Sequence, residues 1–172
     1  MTEQDAPVVR DAGPADVAAV CRFGEQHVGP HYAPLLGVAA AQEQVRRWWS
    51  PAYVAAAVDR GQVVLAEAGG VLVGVGQHGL AGSDHVVYKL YVHPGHRGGG
   101  VGVRLLDALV RRLPAGADRV WVEHVAANER AGAFYEREGF TVDRVEPGPA
   151  GDPRQAQVWR SRPVPPDAQR PG

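Results

Sequence analysis

An arginine followed by four glycines gives the chain its first chemical signal: Arg97-Gly98-Gly99-Gly100-Val101-Gly102. Glycine has no Cβ, so a ligand can approach the backbone closely and the chain can take positive φ. In front of the loop, Val86 to Val92 is an apolar, β-branched run that stops at His93-Pro94-Gly95, where proline removes a ladder donor. Behind it, Val101, Leu105, Ala108 and Leu109 recur at helical spacing. A strand, a glycine loop and a helix in that order point unpaired amides and the positive end of a helix dipole at one place, which is a phosphate site. Arg97 is a candidate phosphate ligand. Arg104, one turn into the helix, is either a second one or a solvated helix residue.

Other readings of these residues are weaker. The loop does not continue as Gly-Lys-Ser/Thr, so it is not the loop of a nucleoside triphosphatase. A dinucleotide fold wants an acidic residue at the end of the next strand, whereas Asp118 precedes its strand. His27 and His31 stand at i, i+4, a metal-binding spacing, but Gly29-Pro30 interrupts them and no third ligand is evident, so no metal is expected. The single cysteine, Cys21, excludes an internal disulfide and a cysteine cluster.

These residues need a scaffold, and 172 residues with 45% hydrophobic and 22% charged content suit one globular domain. A net charge of −1 offers no field for nucleic acid or an anionic membrane. With no membrane-spanning run and an acidic start, the reading is a soluble cytoplasmic protein. Residues 1–6 read as a flexible end, 7–162 as the domain, and 163–172, with four prolines, as a disordered tail. Pro7 to Arg10 is a strand, and a helix from Asp11-Ala12-Gly13-Pro14 turns Val17, Val20, Cys21 and Phe23 inward before stopping ahead of Gly29-Pro30. Helices follow at 39–49 and 51–60. Strands at 62–68 and 71–78 flank Gly69-Gly70, a hairpin signal. After the strand at 86–92 and the helix from Gly100 come a strand at 119–125, a helix at 128–138, and strands at 140–145 and 155–160, these two separated by a Pro/Gly loop. The result is an α/β arrangement with one mixed sheet.

Arg97-x-x-Gly100-x-Gly102, preceded by Leu90-Tyr91-Val92-His93-Pro94, resembles the acetyl-CoA loop of the GNAT superfamily of N-acetyltransferases. Downstream, Asn128-x-x-Ala131-x-x-Phe134-Tyr135-x-x-x-Gly139-Phe140 is similar to that family's next helix and strand. The resemblance implies a mixed, mostly antiparallel sheet of about seven strands flanked by helices, with the strands at 86–92 and 119–125 splayed beyond the loop. It also implies acetyl-CoA as cosubstrate. The diphosphate would lie on Arg97, Gly98, Gly99, Gly100, Val101, Gly102 and Val103, and the pantetheine arm would bond main-chain groups at Tyr91, Val92 and His93, with Asn128 and Tyr135 beside it.

The same resemblance casts Tyr135 as the acid that protonates the leaving thiolate; on the residues alone it is equally an amphipathic core tyrosine. Asn128 also reads as a helix cap. Many family members carry a glutamate base at the position occupied here by Val86. Others, including those acting on ribosomal-protein N-termini, carry it on the next strand, where Glu123 stands. Strand alternation sets Val120, Val122 and His124 on one face and Trp121 and Glu123 on the other. His124, His85, Tyr88 and His78 are lesser base candidates, and His31, Tyr32, Trp48 and Trp49 would wall the acceptor side. The expected activity is direct acetyl transfer to a primary amine of a small molecule or protein N-terminus. The alternative is a non-catalytic acyl-CoA sensor. Homodimers are frequent in the family.

Overall fold

The structure is a computed structural model and describes residues 6–169. Among these the backbone forms the strands β1 (Val8–Asp11), β2 (Val63–Ala68), β3 (Val71–Ala81), β4 (Asp84–Val92), β5 (Arg119–Val125), β6 (Thr141–Glu146) and β7 (Gln157–Pro163). The helices are α1 (Val17–Phe23), α2 (Gly29–Leu36), α3 (Val38–Trp48), α4 (Pro51–Asp59), α5 (Val101–Arg111) and α6 (Glu129–Arg137). The strands build one sheet in the order β1-β2-β3-β4-β5-β7-β6. β4 and β5 run parallel, with Val86 opposite Trp121 and Val87 opposite Val122, while the β1–β2, β2–β3, β5–β7 and β6–β7 pairs are antiparallel. This is the expected α/β class with a mixed sheet.

The chain divides into two compact units. The first holds the chain through Gln77 together with Lys89–Leu109. Its core joins Val20, Cys21, Phe23 and Val28 to Trp49, Val54, Leu65 and Val75. The β2–β3 turn is made by Gly69 and Gly70 at φ 57° and 77°, the left-handed pair that a tight hairpin requires. On β3, Gly74 lets α5 come close: a Cβ there would sit 2.8 Å from Leu105 Cδ1 and 3.2 Å from the Tyr91 carbonyl.

The first helix does not stop before Gly29-Pro30. After α1 the chain widens into a π-helical stretch, Gly24–Val28, and runs directly into α2, with the Gly29 N–H donating to the Gly24 carbonyl. Pro30 falls in the first turn of α2, where a missing N–H disrupts nothing, and the wider turn absorbs the change of register.

The second unit holds His78–Tyr88 and the chain from Val110. On β5, Val120, Val122 and His124 are buried, whereas Arg119, Trp121 and Glu123 are half-exposed, as the alternation predicts. Asn128 caps α6, accepting from the Ala131 N–H at 3.3 Å, and Gly139 follows the helix at φ 85°. The expected tail at 163–172 is corrected in its first part. Pro163 ends β7, Val164 is buried and its N–H donates to the Asp118 carbonyl at 2.8 Å, and Pro166–Gln169 forms a 3₁₀ turn. Residues 1–5 of the expected flexible start and 170–172 of the tail lie outside the described residues. Among the described residues no helix is long and apolar enough to cross a membrane.

Candidate active site

In the first unit, β4 ends at Val92 and a short turn, Pro94–His96, carries the chain to the glycines. The His93 ring shapes this turn by accepting from the Gly95 N–H through Nδ1 at 2.9 Å. Gly98 and Gly100 take φ 82° and 80°, and a Cβ on either would meet nothing within 4 Å, so the backbone there borders open space. Arg104 N–H donates to the Gly100 carbonyl as α5 begins, so the amides of Val101, Gly102 and Val103 belong to the turn that has no intrahelical acceptor. Amides, dipole and open space suit a diphosphate.

Two details refine the expected contacts. The His93 N–H already donates to the Val73 carbonyl at 2.8 Å, and the Val92 carbonyl accepts from Arg97 Nε at 3.2 Å. Sheet pairing and the arginine thus engage two of the main-chain groups assigned to a pantetheine arm. Arg104 reaches the Pro7 carbonyl at 3.2 Å, a role in tying down the chain start.

His27, set on the π-helical stretch, stacks edge-on against Phe23 and against His93, at centroid distances of 4.8 and 4.5 Å. Burial first, then His93 and Arg97, hold its imidazole below the ordinary range. His31 turns to Tyr32 and Tyr91 instead, so the two histidines serve different aromatic groups. Among the described residues no cluster of three or more His, Cys, Asp or Glu could hold a metal. Trp49 is buried and borders a cavity of about 650 Å³ with Gly29, Pro30, Ala33 and Val45, while Trp48 is exposed beneath Arg47.

The residue this region adds is Lys89. It is 5% exposed, its Nζ donates to Gln77 Oε1 at 2.6 Å, and it lies over the rings of Tyr53 and Trp49 at 4.4 and 5.1 Å. Burial pulls its pKa down to about 7. The sequence held a signal: Lys89 is the only lysine beside seventeen arginines, and a compact, deprotonatable amine is what arginine cannot replace.

In the second unit, Tyr135 is buried in α6, with its ring 5.4 Å from Phe134, 5.6 Å from Phe140 and 6.2 Å from His124. His124 accepts from Arg160 Nε at 3.2 Å, so its other nitrogen, 3.0 Å from the Val125 carbonyl, is the donor. That fixes a neutral tautomer, and burial, aided by Arg160, keeps its pKa low. Tyr88 donates to the Leu80 carbonyl at 2.9 Å, and Val86 is fully buried.

Glu123 is half-buried on the face opposite His124. Burial, and then the Glu146 carboxylate, push its pKa up, while Arg144 opposes them. Trp159 on β7 stands directly across from it. The sequence reading passed over Trp159, because nothing near it in the chain marks it.

Known proteins share the fold. Residues 59–142 match the acetyltransferase (GNAT) domain model, and the fold is that of solved GNAT N-acetyltransferases. PaiA N-acetyltransferase from Thermoplasma acidophilum, solved with coenzyme A, superposes with a TM-score of 0.75 at 15% identity, covering 92% of this chain and 99% of that one. The ribosomal-protein-S18-alanine N-acetyltransferase from Escherichia coli gives 0.67 at 20%, over 92% and 94%. The yncA protein from Salmonella typhimurium, solved with acetyl-CoA, gives 0.67 at 24%, over 94% and 95%. In sequence, the chain is 34% identical over 126 residues to a mycothiol acetyltransferase of Propionibacterium freudenreichii subsp. shermanii. The match covers 69% of this chain and 37% of that relative.

Proposed function

We propose that the protein transfers an acetyl group from acetyl-CoA to a primary amine by direct attack in a ternary complex. The observation that carries this reading is the loop before α5: Gly98 and Gly100 at positive φ, open space above both, and the first amides of the helix beyond them. Arg97 and the amides through Val103 hold the diphosphate, and Asn128 adds a contact to the pantetheine arm. Structural neighbours solved with coenzyme A or acetyl-CoA support this assignment.

The chemistry divides between two side chains. Presenting a neutral lysine-like amine at pH 7 costs about 4–5 kcal/mol, whereas an α-amine costs only about 1. Glu123, with its raised pKa, takes the amine proton through water. The amine nitrogen bonds to the thioester carbonyl carbon, the C–S bond breaks, Tyr135 gives its hydroxyl proton to the departing thiolate, and the second proton shed by the nitrogen restores that hydroxyl through water. A cytoplasmic location accords with this cosubstrate.

The test is calorimetric titration with coenzyme A, followed by release of free CoA thiol against a panel of amines. Binding with turnover on at least one amine is expected, and absence of binding overturns the assignment. Fully buried Val86, where many relatives carry a glutamate, favours a second reading as an acyl-CoA sensor. Binding without turnover on any amine selects it.

A further inference from the structure

Three imidazoles line up beside the glycine loop. His27, on the π-helical stretch, meets the His93 ring edge-on at 4.5 Å, and His93 meets His96 edge-on at 5.4 Å. Arg97 completes the row by folding back on the end of β4, its Nε donating to the Val92 carbonyl at 3.2 Å. The row is open to a ligand. His27, His93 and Arg97 are half-buried, His96 is exposed, and the backbone at Gly98 and Gly100 borders open space.

A proton would do different things to these rings. His93 Nδ1 accepts from the Gly95 N–H, so that nitrogen carries no hydrogen, and a proton on it would break the turn that leads into the loop. His27 has no such duty; its ring contacts are Phe23 and His93. Burial, then His93 and Arg97, keep a proton off it. The other charged groups around it act elsewhere. Arg22 and Glu25 bear on Cys21, and His31 of α2 turns to Tyr32 and Tyr91. On α3, Arg46 pairs with Glu43 and Arg47 lies over Trp48. Among the described residues no carboxylate offsets the two groups that oppose a charge on His27.

A diphosphate on the loop would supply the missing negative charge, both by its own field and by neutralising Arg97. We propose that coenzyme A binds with uptake of a proton onto His27, which makes this histidine of the π-helical stretch part of the anion site. The proposal rests on the acetyl-CoA reading above and adds a residue to its cosubstrate site. Its sign follows from linkage. Between the free and bound pKa values of His27 only the complex holds the proton, so affinity rises as pH falls, by at most about tenfold per unit. Above the bound value both states are neutral, and affinity is flat at its weakest.

Calorimetric titration with coenzyme A at pH 7, in buffers of different ionisation enthalpy, counts the proton from the slope of heat against buffer enthalpy. Uptake of a fraction of a proton per coenzyme A is expected. It should fall to near zero in His27→Gln, which keeps an N–H donor and cannot titrate. From pH 8 to 6 the wild-type affinity should rise about tenfold relative to that of the variant. Equal uptake and equal pH dependence in the two proteins overturn the proposal. Dephospho-coenzyme A lacks the ribose phosphate monoester, a group that itself titrates at about pH 6, and should reproduce the uptake. Loss of uptake with it ties the proton to that monoester and overturns the proposal. A readout that needs no variant to fold is the His27 ring-proton resonance of the wild-type protein. Its titration midpoint should move to higher pH when coenzyme A is present, and a midpoint that stays in place overturns the proposal. Coenzyme A that binds with no proton taken up removes His27 from the site and leaves acetyl transfer intact. Coenzyme A that does not bind at all removes the acetyl-CoA reading, and this proposal with it.

Discussion

The Lys89 ammonium donates to Gln77 Oε1 at 2.6 Å, and Gln77 in turn donates to the Tyr53 hydroxyl at 3.2 Å. This chain of uncharged partners ties β4 to β3 and α4 without supplying a carboxylate to the buried cation. The aromatic faces of Trp49 and Tyr53 offset part of the desolvation, but burial dominates and sets the pKa near 7.

Stability should therefore depend on pH in a defined direction. The unfolded lysine keeps its proton up to its model value of 10.5, while the folded one sheds it above about 7. Between those values the unfolded state binds more protons, so stability rises with pH, at up to about 1.4 kcal/mol per unit. Below pH 7 both states are protonated and this contribution is flat at its least favourable. Urea midpoints measured from pH 6 to 10 should climb in the native protein. In Lys89→Met the climb should be much reduced, and equal slopes in the two proteins would refute the assignment.

Tyr135→Phe isolates a hydroxyl in a site already filled by Phe134, Phe140 and His124. If that hydroxyl protonates the departing thiolate, kcat should fall about 100-fold or more while acetyl-CoA affinity changes less than threefold. Steady-state kinetics with calorimetric binding checks both numbers. A parallel loss of affinity and rate would indicate a packing role instead.

Glu123 must be ionised to act as a base, and its pKa lies above the usual carboxylate range. The acid limb of kcat/KM should accordingly appear at a higher pH than an exposed glutamate would give, and vanish in Glu123→Gln. Its neighbours predict the sign of further shifts. Removing the like charge with Glu146→Gln should move the limb to lower pH, and removing the opposing charge with Arg144→Gln should move it higher. Shifts of the reversed sign would assign the limb to another group.

Gly24 and Gly29 lie five residues apart at the two ends of the π-helical turn, yet they should respond oppositely to alanine. A Cβ on Gly24 would stand 2.6 Å from the indole atoms of buried Trp49, whereas one on Gly29 would meet Val45 at an ordinary 3.6 Å. Gly24→Ala should destabilise by about 1–3 kcal/mol. Gly29→Ala should be neutral or stabilise by up to about 1 kcal/mol, since alanine loses less backbone freedom in a helix. Denaturant midpoints of the two variants decide it.

What the sequence by itself determined is local. The strand–glycine–helix joint, the β5 alternation that separates His124 from Glu123, the Asn128 cap and the Gly69-Gly70 turn each depend on residues within a few positions of one another. There φ/ψ preference and side-chain period leave little choice. The continuation through Gly29-Pro30 escaped that reading because a π turn is a compromise between helix register and packing against Trp49, which lies twenty residues on. Val164 was likewise misplaced into a tail because its burial comes from pairing with Asp118. Only the tertiary structure decided that Lys89 lies against aromatics from α4 and the end of α3, and that Trp159 faces Glu123. In chain order β6 follows β5; in the sheet β7 inserts between them, and register across an inserted strand is fixed by packing of the whole face rather than by any local signal.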